Sequence, residues 1–380
     1  MIWIAFVPLA ASLYLLFGRG MFWLLHERDD RDFYPARTRV PPVVAVVPAR
    51  DEADVIATAL TSLLEQDYAG PFRVILVDDQ SSDGTAEAAR RAAMSCGRDD
   101  RLEIISGSER PAGWTGKLWA MNQGFAHARS NAPSEYVLFT DADIAHASDN
   151  LSRLVARAER DRLVLLSLMA KLKCETTAEK LLIPAFVFFF AMVFPFSCVN
   201  DDSKKSAAAA GGCMLVRSEA LKRAGGLEII AGAIIDDCAL AGILKRQGPI
   251  RLALSERVES LRPYRSVREI GRMVARSAYA QLRCSPLLLC GTVLGMVIVY
   301  VLPVLLAIFA HGLPRLAGIV AWILMALSFQ PMLRFYRLSP LWGLALPFIG
   351  GLYASFTVQS ALQHWRGRGG MWKGRTQAIA

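Results

Sequence analysis

Asp141 and Asp143, separated by one alanine, follow the apolar run Val137-Leu138-Phe139. The run reads as a buried strand, so the acids sit just past its carboxyl end. In open α/β sheets that is where ligands bind. Hard divalent cations take oxygen ligands, commonly one or two carboxylates plus substrate phosphates. The pair therefore suggests a Mg2+ or Mn2+ ion holding a diphosphate, and with it a nucleotide-linked donor. A solvated turn is the plainer alternative, because Asp-x-Asp on its own is common by chance.

Asp236-Asp237 opens a predicted helix. Two acids there either complement the helix dipole or supply a general base that deprotonates an acceptor hydroxyl. Lys117 closes the loop Gly113-Trp114-Thr115-Gly116-Lys117. It is either solvated or reaches a phosphate as a point charge. Pro48-Ala49-Arg50-Asp51-Glu52 follows another predicted strand and, taken alone, reads as a turn. Asp78-Asp79 follows a further strand and either caps the next helix or accepts hydrogen bonds from a base or ribose. Gly211-Gly212 precedes a strand, where paired glycines allow close backbone approach to a ligand. Both are candidates for acceptor or diphosphate contact.

These groups need elements to position them. Val43 to Val47 reads as a strand, 54–66 as a helix and Phe72 to Val77 as a second strand. An alanine-rich helix to about Met94 follows the turn Ser81 to Thr85. Leu102 to Ile105, a helix over 117–128 and Tyr136 to Phe139 complete the alternation. Such β-α-β-α order predicts an α/β domain, a Rossmann-like and mostly parallel sheet covered by helices. Each acidic cluster follows a strand, so the clusters converge on one edge. Leu163 to Leu168 and Met214 to Val216 read as later strands, and 270–282 as a basic amphipathic helix.

The chain has 380 residues, 53% of them hydrophobic, with 43 Lys plus Arg against 34 Asp plus Glu. That is too apolar for an ordinary soluble enzyme, and the excess is localised. Residues 1–25, 287–310, 316–333 and 341–362 are runs near the ~20 residues that a bilayer-spanning helix needs. The expected organisation is an uncleaved transmembrane anchor over 1–25, a catalytic domain over 26–286, a transmembrane region over 287–365 and a basic tail over 366–380. His26, Arg28, Arg31, Arg37 and Arg39 place the domain on the cytoplasmic side of an inner membrane that the chain crosses several times. Pro347 and Gly350-Gly351 would let the last run turn back as a hairpin and keep the basic tail inside. Residues 181–199 are long enough to span, but a crossing would divide the acidic clusters; an interfacial segment is preferred, with core packing as the alternative. The seven cysteines form no Cys-x-x-Cys pair, which fits a reducing compartment. The net charge of +9 lies largely beside apolar runs, so anionic lipid rather than nucleic acid is the expected partner.

In order and spacing, these pieces over roughly 43–250 resemble glycosyltransferase family 2 enzymes of the GT-A fold. The resemblance implies that Pro48, Ala49, Arg50 and Glu52 line a nucleotide pocket and that Asp78 and Asp79 contact the uracil and ribose. It implies that Asp141 and Asp143 form the metal and diphosphate motif. Asp236-Asp237, with Leu240 behind, is similar to Glu-Asp-x-x-Leu, making Asp237 the catalytic base. Residues Gly113 to Gly124 and Trp372-Lys373-Gly374-Arg375 resemble the hopene-associated glycosyltransferases; ceramide glucosyltransferases are more distant. The activity so implied is inverting transfer from a nucleotide sugar, expected to be a UDP-sugar, to a hopanoid- or ceramide-like membrane lipid. A polysaccharide synthase and a non-catalytic nucleotide-sugar-binding membrane protein are the alternatives. The synthases' Gln-x-x-Arg-Trp is incomplete here, Gln281-Leu282-Arg283-Cys284 lacking the tryptophan; Gln281 and Arg283 are its candidate replacements.

Overall fold

A computed structural model describes residues 5–30, 40–131, 133–367, 369–372 and 375–376. After helix α1 (Val7–Leu13), the chain runs β1 (Val43–Ala49), α2 (Ile56–Leu64), β2 (Phe72–Asp78), α3 (Thr85–Ser95), β3 (Leu102–Ser106), α4 (Gly116–Asn131) and β4 (Tyr136–Thr140). Then come β5 (Ile144–His146), α5 (Asn150–Arg160), β6 (Leu165–Lys171), α6 (Thr177–Val193), α7 (Phe196–Val199), β7 (Cys213–Arg217) and α8 (Ser218–Arg223). The domain closes with α9 (Asp236–Leu244), β8 (Ile250–Ser260), α10 (Val267–Ala275) and α11 (Ala278–Gln281). Three long helices follow: α12 (Pro286–Phe309), α13 (Gly312–Phe335) and α14 (Pro340–Trp365).

One sheet carries the order β3-β2-β1-β4-β7-β6-β8-β5. Its first four strands are parallel, as the alternation predicts. Beyond them the sheet is mixed: β7 runs antiparallel to both β4 and β6, and β5 antiparallel to β8. The expectation of a mostly parallel sheet therefore holds throughout the first half and, in the second, for the β6–β8 pair alone. Period-2 burial on β1 explains the layering. Val43, Ala45 and Val47 join one core with Leu60 and Leu63, while Val44 and Val46 join the other with Leu118 and Met121. A strand apolar on both faces must be covered on both.

Residues 181–199 lie in the domain core rather than along its surface. Helix α6 starts at a capping box: Thr176 Oγ1 accepts from Glu179 N at 3.2 Å, and Glu179 Oε2 accepts from Thr176 N at 2.9 Å. Leu182, Ile183, Val187 and Phe188 are buried. The Tyr353 hydroxyl on α14 donates to the Leu182 carbonyl at 2.8 Å, tying α6 to the apolar helices. The expected helix over 270–282 is broken: α10 ends at Ala275 and α11 is a separate turn.

Helices α12 to α14 are each long and apolar enough to cross a membrane. The N-terminal run is described from residue 5. Its described helical stretch is Val7–Gly18, about 18 Å long at 1.5 Å per residue, short of a ~30 Å hydrocarbon core. It ends where Arg19 Nη2 donates to the Met192 and Val193 carbonyls at 2.9 and 3.0 Å. Residues 27–29 already belong to the domain: Asp29 N donates to Leu254 O at 3.0 Å, and Leu254 N to Glu27 O at 2.9 Å. Arg31, Arg37, Arg39 and Lys373 lie outside the described residues.

Helix α4 presses on the sheet through Gly124, where a Cβ would lie 2.5 Å from Val46 Cγ1 and 2.9 Å from Val77 Cγ2. Gly242 in α9 has open space around it. Alanine gains ~1 kcal/mol of helix propensity at either place. Overpacking costs about 1–3 kcal/mol where the neighbours are fixed. Gly124→Ala should therefore lower the thermal unfolding midpoint of the detergent-solubilised protein, while Gly242→Ala raises it. Equal stabilisation by both would show that α4 does not pack this closely.

Candidate functional site

The parallel register brings the ends of three strands together. Ala49 pairs with Asp78, and Val46 with Phe139, so the chain leaves β1, β2 and β4 on the same side. Thr140 Oγ1 donates to the Gly212 carbonyl at 2.8 Å, holding the end of β4 against the turn before β7. Buried His146 supports Thr140 from behind, its Nε2 being 2.9 Å from Thr140 Oγ1. Burial lowers its pKa to about 4, so this imidazole is neutral.

Two cations organise the acids. Lys117, in the first turn of α4, places Nζ 2.8 Å from Asp141 Oδ1 and 3.1 Å from Asp236 Oδ2. Arg262, two residues past β8, places Nε 2.9 Å from Asp143 Oδ2 and Nη2 2.6 Å from Glu52 Oε2. The β5–β8 pairing sets this contact up: Ile144 lies opposite Ser260, and Leu261 N donates to the Asp143 carbonyl at 2.8 Å. Asp237 accepts from Gly211 N at 2.9 Å and from Cys238 N at 2.7 Å. Gly211 passes close to the lysine: a Cβ there would lie 3.1 Å from Lys117 Nζ, so the ammonium would have to shift by a few tenths of an ångström. All these side chains face one cavity of about 1050 Å³, which Pro48, Gly211 and Gly212 also line.

Burial, then the charge of Asp236, pushes the Asp237 carboxyl up to about 6. Burial likewise raises Asp141, with Lys117 opposing and Asp143 adding to the effect. Burial acts against the charge of Lys117, but Asp141 and Asp236 outweigh it and hold the ammonium protonated. Glu52 and Asp143 do the same for Arg262. Five carboxylates, Glu52, Asp141, Asp143, Asp236 and Asp237, thus face only Lys117 and Arg262 in this part of the cavity. That surplus of negative charge suits a divalent cation. No cluster of three potential ligands exists among the described residues. The fit is therefore to an ion that takes one or two carboxylates and completes its shell with phosphate oxygens.

The other residues singled out from the sequence are placed as follows. Asp79 is 1% exposed and Asp78 Oδ1 accepts from Ser81 N at 3.0 Å. Arg50 lies against Asp79, with Nη1 3.6 Å from Oδ2. This group shapes the loops after β1 and β2, beside the cavity rather than on its wall. Gln281 and Arg283 are also absent from the wall. The break after α10 turns the chain away, and the buried Tyr279 pins that turn through its hydroxyl to the Cys284 carbonyl at 2.7 Å. Arg262 is the site residue that sequence reading missed. A lone arginine after a strand carries no local signal, and only the β5–β8 register brings it to Asp143.

Residues 44–225 match the Glycosyl transferase family 2 model. An N-acetylglucosaminyltransferase of Rhizobium leguminosarum bv. viciae is 32% identical over 116 residues, covering 30% of this chain and 25% of that protein. A dolichyl-phosphate beta-glucosyltransferase of Saccharomyces cerevisiae is 27% identical over 143 residues, covering 36% of this chain and 38% of that protein. The chain thus spans well under half the length of these curated relatives. The mannosyltransferase PcManGT of Pyrobaculum calidifontis, solved with GDP-Man and Mn2+, superposes with a TM-score of 0.55 at 20% identity, over 95% of this chain and 99% of that one. At that identity the likeness concerns the fold. Strand order, acidic edge and matched span agree, and residues 44–225 form a glycosyl transferase family 2 domain.

Proposed function

We propose that the protein transfers a sugar, with inversion at the anomeric carbon, from a nucleotide sugar to a hydroxyl of a membrane lipid. The observation that carries this reading is one cavity joining the Lys117–Asp141–Asp236 bridge and Asp237 to α14, an apolar helix of membrane-spanning length. The family 2 match and the two relatives support sugar transfer, and dolichyl phosphate stands in the name of one of them. Hopanoid- and ceramide-like lipids are candidate acceptors from the sequence resemblance.

Asp141 and Asp143 are the residues that would hold Mg2+ or Mn2+, which supplies positive charge to the departing diphosphate. Lys117 adds a protonated ammonium at the same place. Arg50, Asp78 and Asp79, in the loops beside the cavity, are the residues expected to meet the nucleoside. Asp237 accepts the proton of the acceptor hydroxyl as its oxygen bonds to the anomeric carbon. The bond from that carbon to the diphosphate oxygen breaks, and the electron pair leaves with the nucleoside diphosphate. The two backbone N–H groups on Asp237 fix its carboxylate in position for this.

Four outcomes follow from this arrangement. Membranes holding the protein should pass label from a UDP-sugar panel into extractable lipid when Mn2+ or Mg2+ is present. Asp237→Asn should lower kcat by about 10²–10⁴, the usual contribution of a general base, with UDP affinity unchanged. Retained turnover would refute the base assignment, and label in a high-molecular-weight product would indicate polymer synthesis instead. Because Asp237 must be deprotonated and its carboxyl is raised to about 6, kcat/KM should fall as pH drops through about 6. A profile flat down to the ordinary carboxylate range would contradict that. Finally, Asp143→Ala should weaken the metal dependence of UDP binding measured calorimetrically; an unchanged Mn2+ titration would remove Asp143 from the metal site.

A further inference from the structure

The cavity extends past the carboxylates to a second wall made by α6, α10 and α14. Arg272 and Arg276 reach it at the end of α10, and Arg366 just past α14. None of the three has an ion pair or a side-chain hydrogen bond among the described residues. The contrast with the first wall is sharp, because Lys117 and Arg262 are each held by two carboxylates. Glu269 is the one carboxylate beside these arginines, and its Oε2 accepts from the Arg265 backbone N–H at 2.8 Å. The three arginines are solvent-exposed, and this end of the cavity carries a net positive charge that no ion pair among the described residues offsets.

Position at helix C-termini accounts for a basic residue at each place. It does not account for all three facing one cavity. Phe186 and Phe190 of α6, Met273 of α10 and Leu362 of α14 give the same wall apolar surface, beside the polar Ser277, Gln359 and Gln363. Cationic forks above an apolar floor match an amphiphile with an anionic head. Guanidinium groups bind phosphate in a bidentate manner. The donor's diphosphate is the other phosphate at hand, but Lys117 and the paired aspartates already serve it at the strand edge. The arginines stand instead beside α14, where a bilayer would present its headgroups.

We propose that Arg272, Arg276 and Arg366 form a phosphate-binding acceptor subsite, and that the acceptor is an anionic phospholipid whose headgroup also bears the attacking hydroxyl. This rests on the transfer reading above and narrows its acceptor from any hydroxylated lipid to one that carries a phosphate.

The test is equilibrium binding to the full-length, detergent-solubilised protein by calorimetry. Dihexanoyl phosphatidylglycerol and dihexanoylglycerol share acyl chains and differ in the phosphoglycerol head, and the arginine variant below isolates the part that the phosphate plays in any preference. The phospholipid should bind about ten-fold tighter or more, the equivalent of one charge-assisted contact. The triple variant R272Q/R276Q/R366Q should lose that preference while UDP with Mn2+ binds as before. Equal affinity of the wild-type protein for the two lipids would overturn the proposal without need of any variant. So would a parallel loss of UDP affinity, which would place the arginines on the donor. Inorganic phosphate competing at the same concentration as the phospholipid would reduce the subsite to a free-anion site and also overturn it. The readout is binding, so phospholipid selectivity without sugar transfer would leave the subsite standing and refute the transfer reading alone.

Discussion

The ammonium of Lys117, held between Asp141 and Asp236, is the contact on which the site depends. Each partner is costly alone. Burial disfavours the charged form of both Lys117 and Asp141, and each charge opposes that penalty on the other. The pair lines the cavity and is only partly buried, so the bridge matters first for where it holds the acids. The bridge joins three elements far apart in the chain: the first turn of α4, the end of β4 and the first turn of α9. Gly211 belongs to the same construction, because the turn before β7 passes close to Lys117, and a side chain there would displace the ammonium.

Arg262 repeats the device on the neighbouring acid. It ties Asp143 to Glu52, and thereby the end of β4 to the loop after β1. Each aspartate of the Asp-Ala-Asp triplet is thus matched with a cation from another element. The acids still outnumber these cations, which leaves the strand edge electronegative and suited to a divalent ion arriving with phosphate oxygens. The opposite wall is electropositive through Arg272, Arg276 and Arg366. One cavity therefore has two ends of opposite sign.

Helix α6 connects this chemistry to the apolar helices. Its buried face fills the core, the Tyr353 hydroxyl of α14 reaches its backbone, and Phe186 and Phe190 form cavity floor. Glu179 at its first turn accepts from Tyr264 N at 2.7 Å, just past Arg262. The same helix therefore braces both the segment that carries the arginine clamp and the apolar helix α14.

Much of the first half of the fold was legible because its signals are local. The apolar runs of β1, β2 and β4, the helical spacing between them and the acids after each strand are short-range patterns, and parallel pairing must then bring the acids to one edge. Asp141, Asp143, Lys117, Asp236 and Asp237 were visible for that reason, as were the three long apolar helices. Tertiary structure decided the rest. The antiparallel insertion of β7, the burial of 181–199, the shortened N-terminal helix and the turn that carries Gln281 and Arg283 away all depend on what packs against each segment. Arg262 and the arginines of the far wall look like any basic residue in sequence. Only the β5–β8 register and the packing of α10 against α14 determine which charges share a cavity, because pairing between distant segments leaves no periodicity in the chain itself.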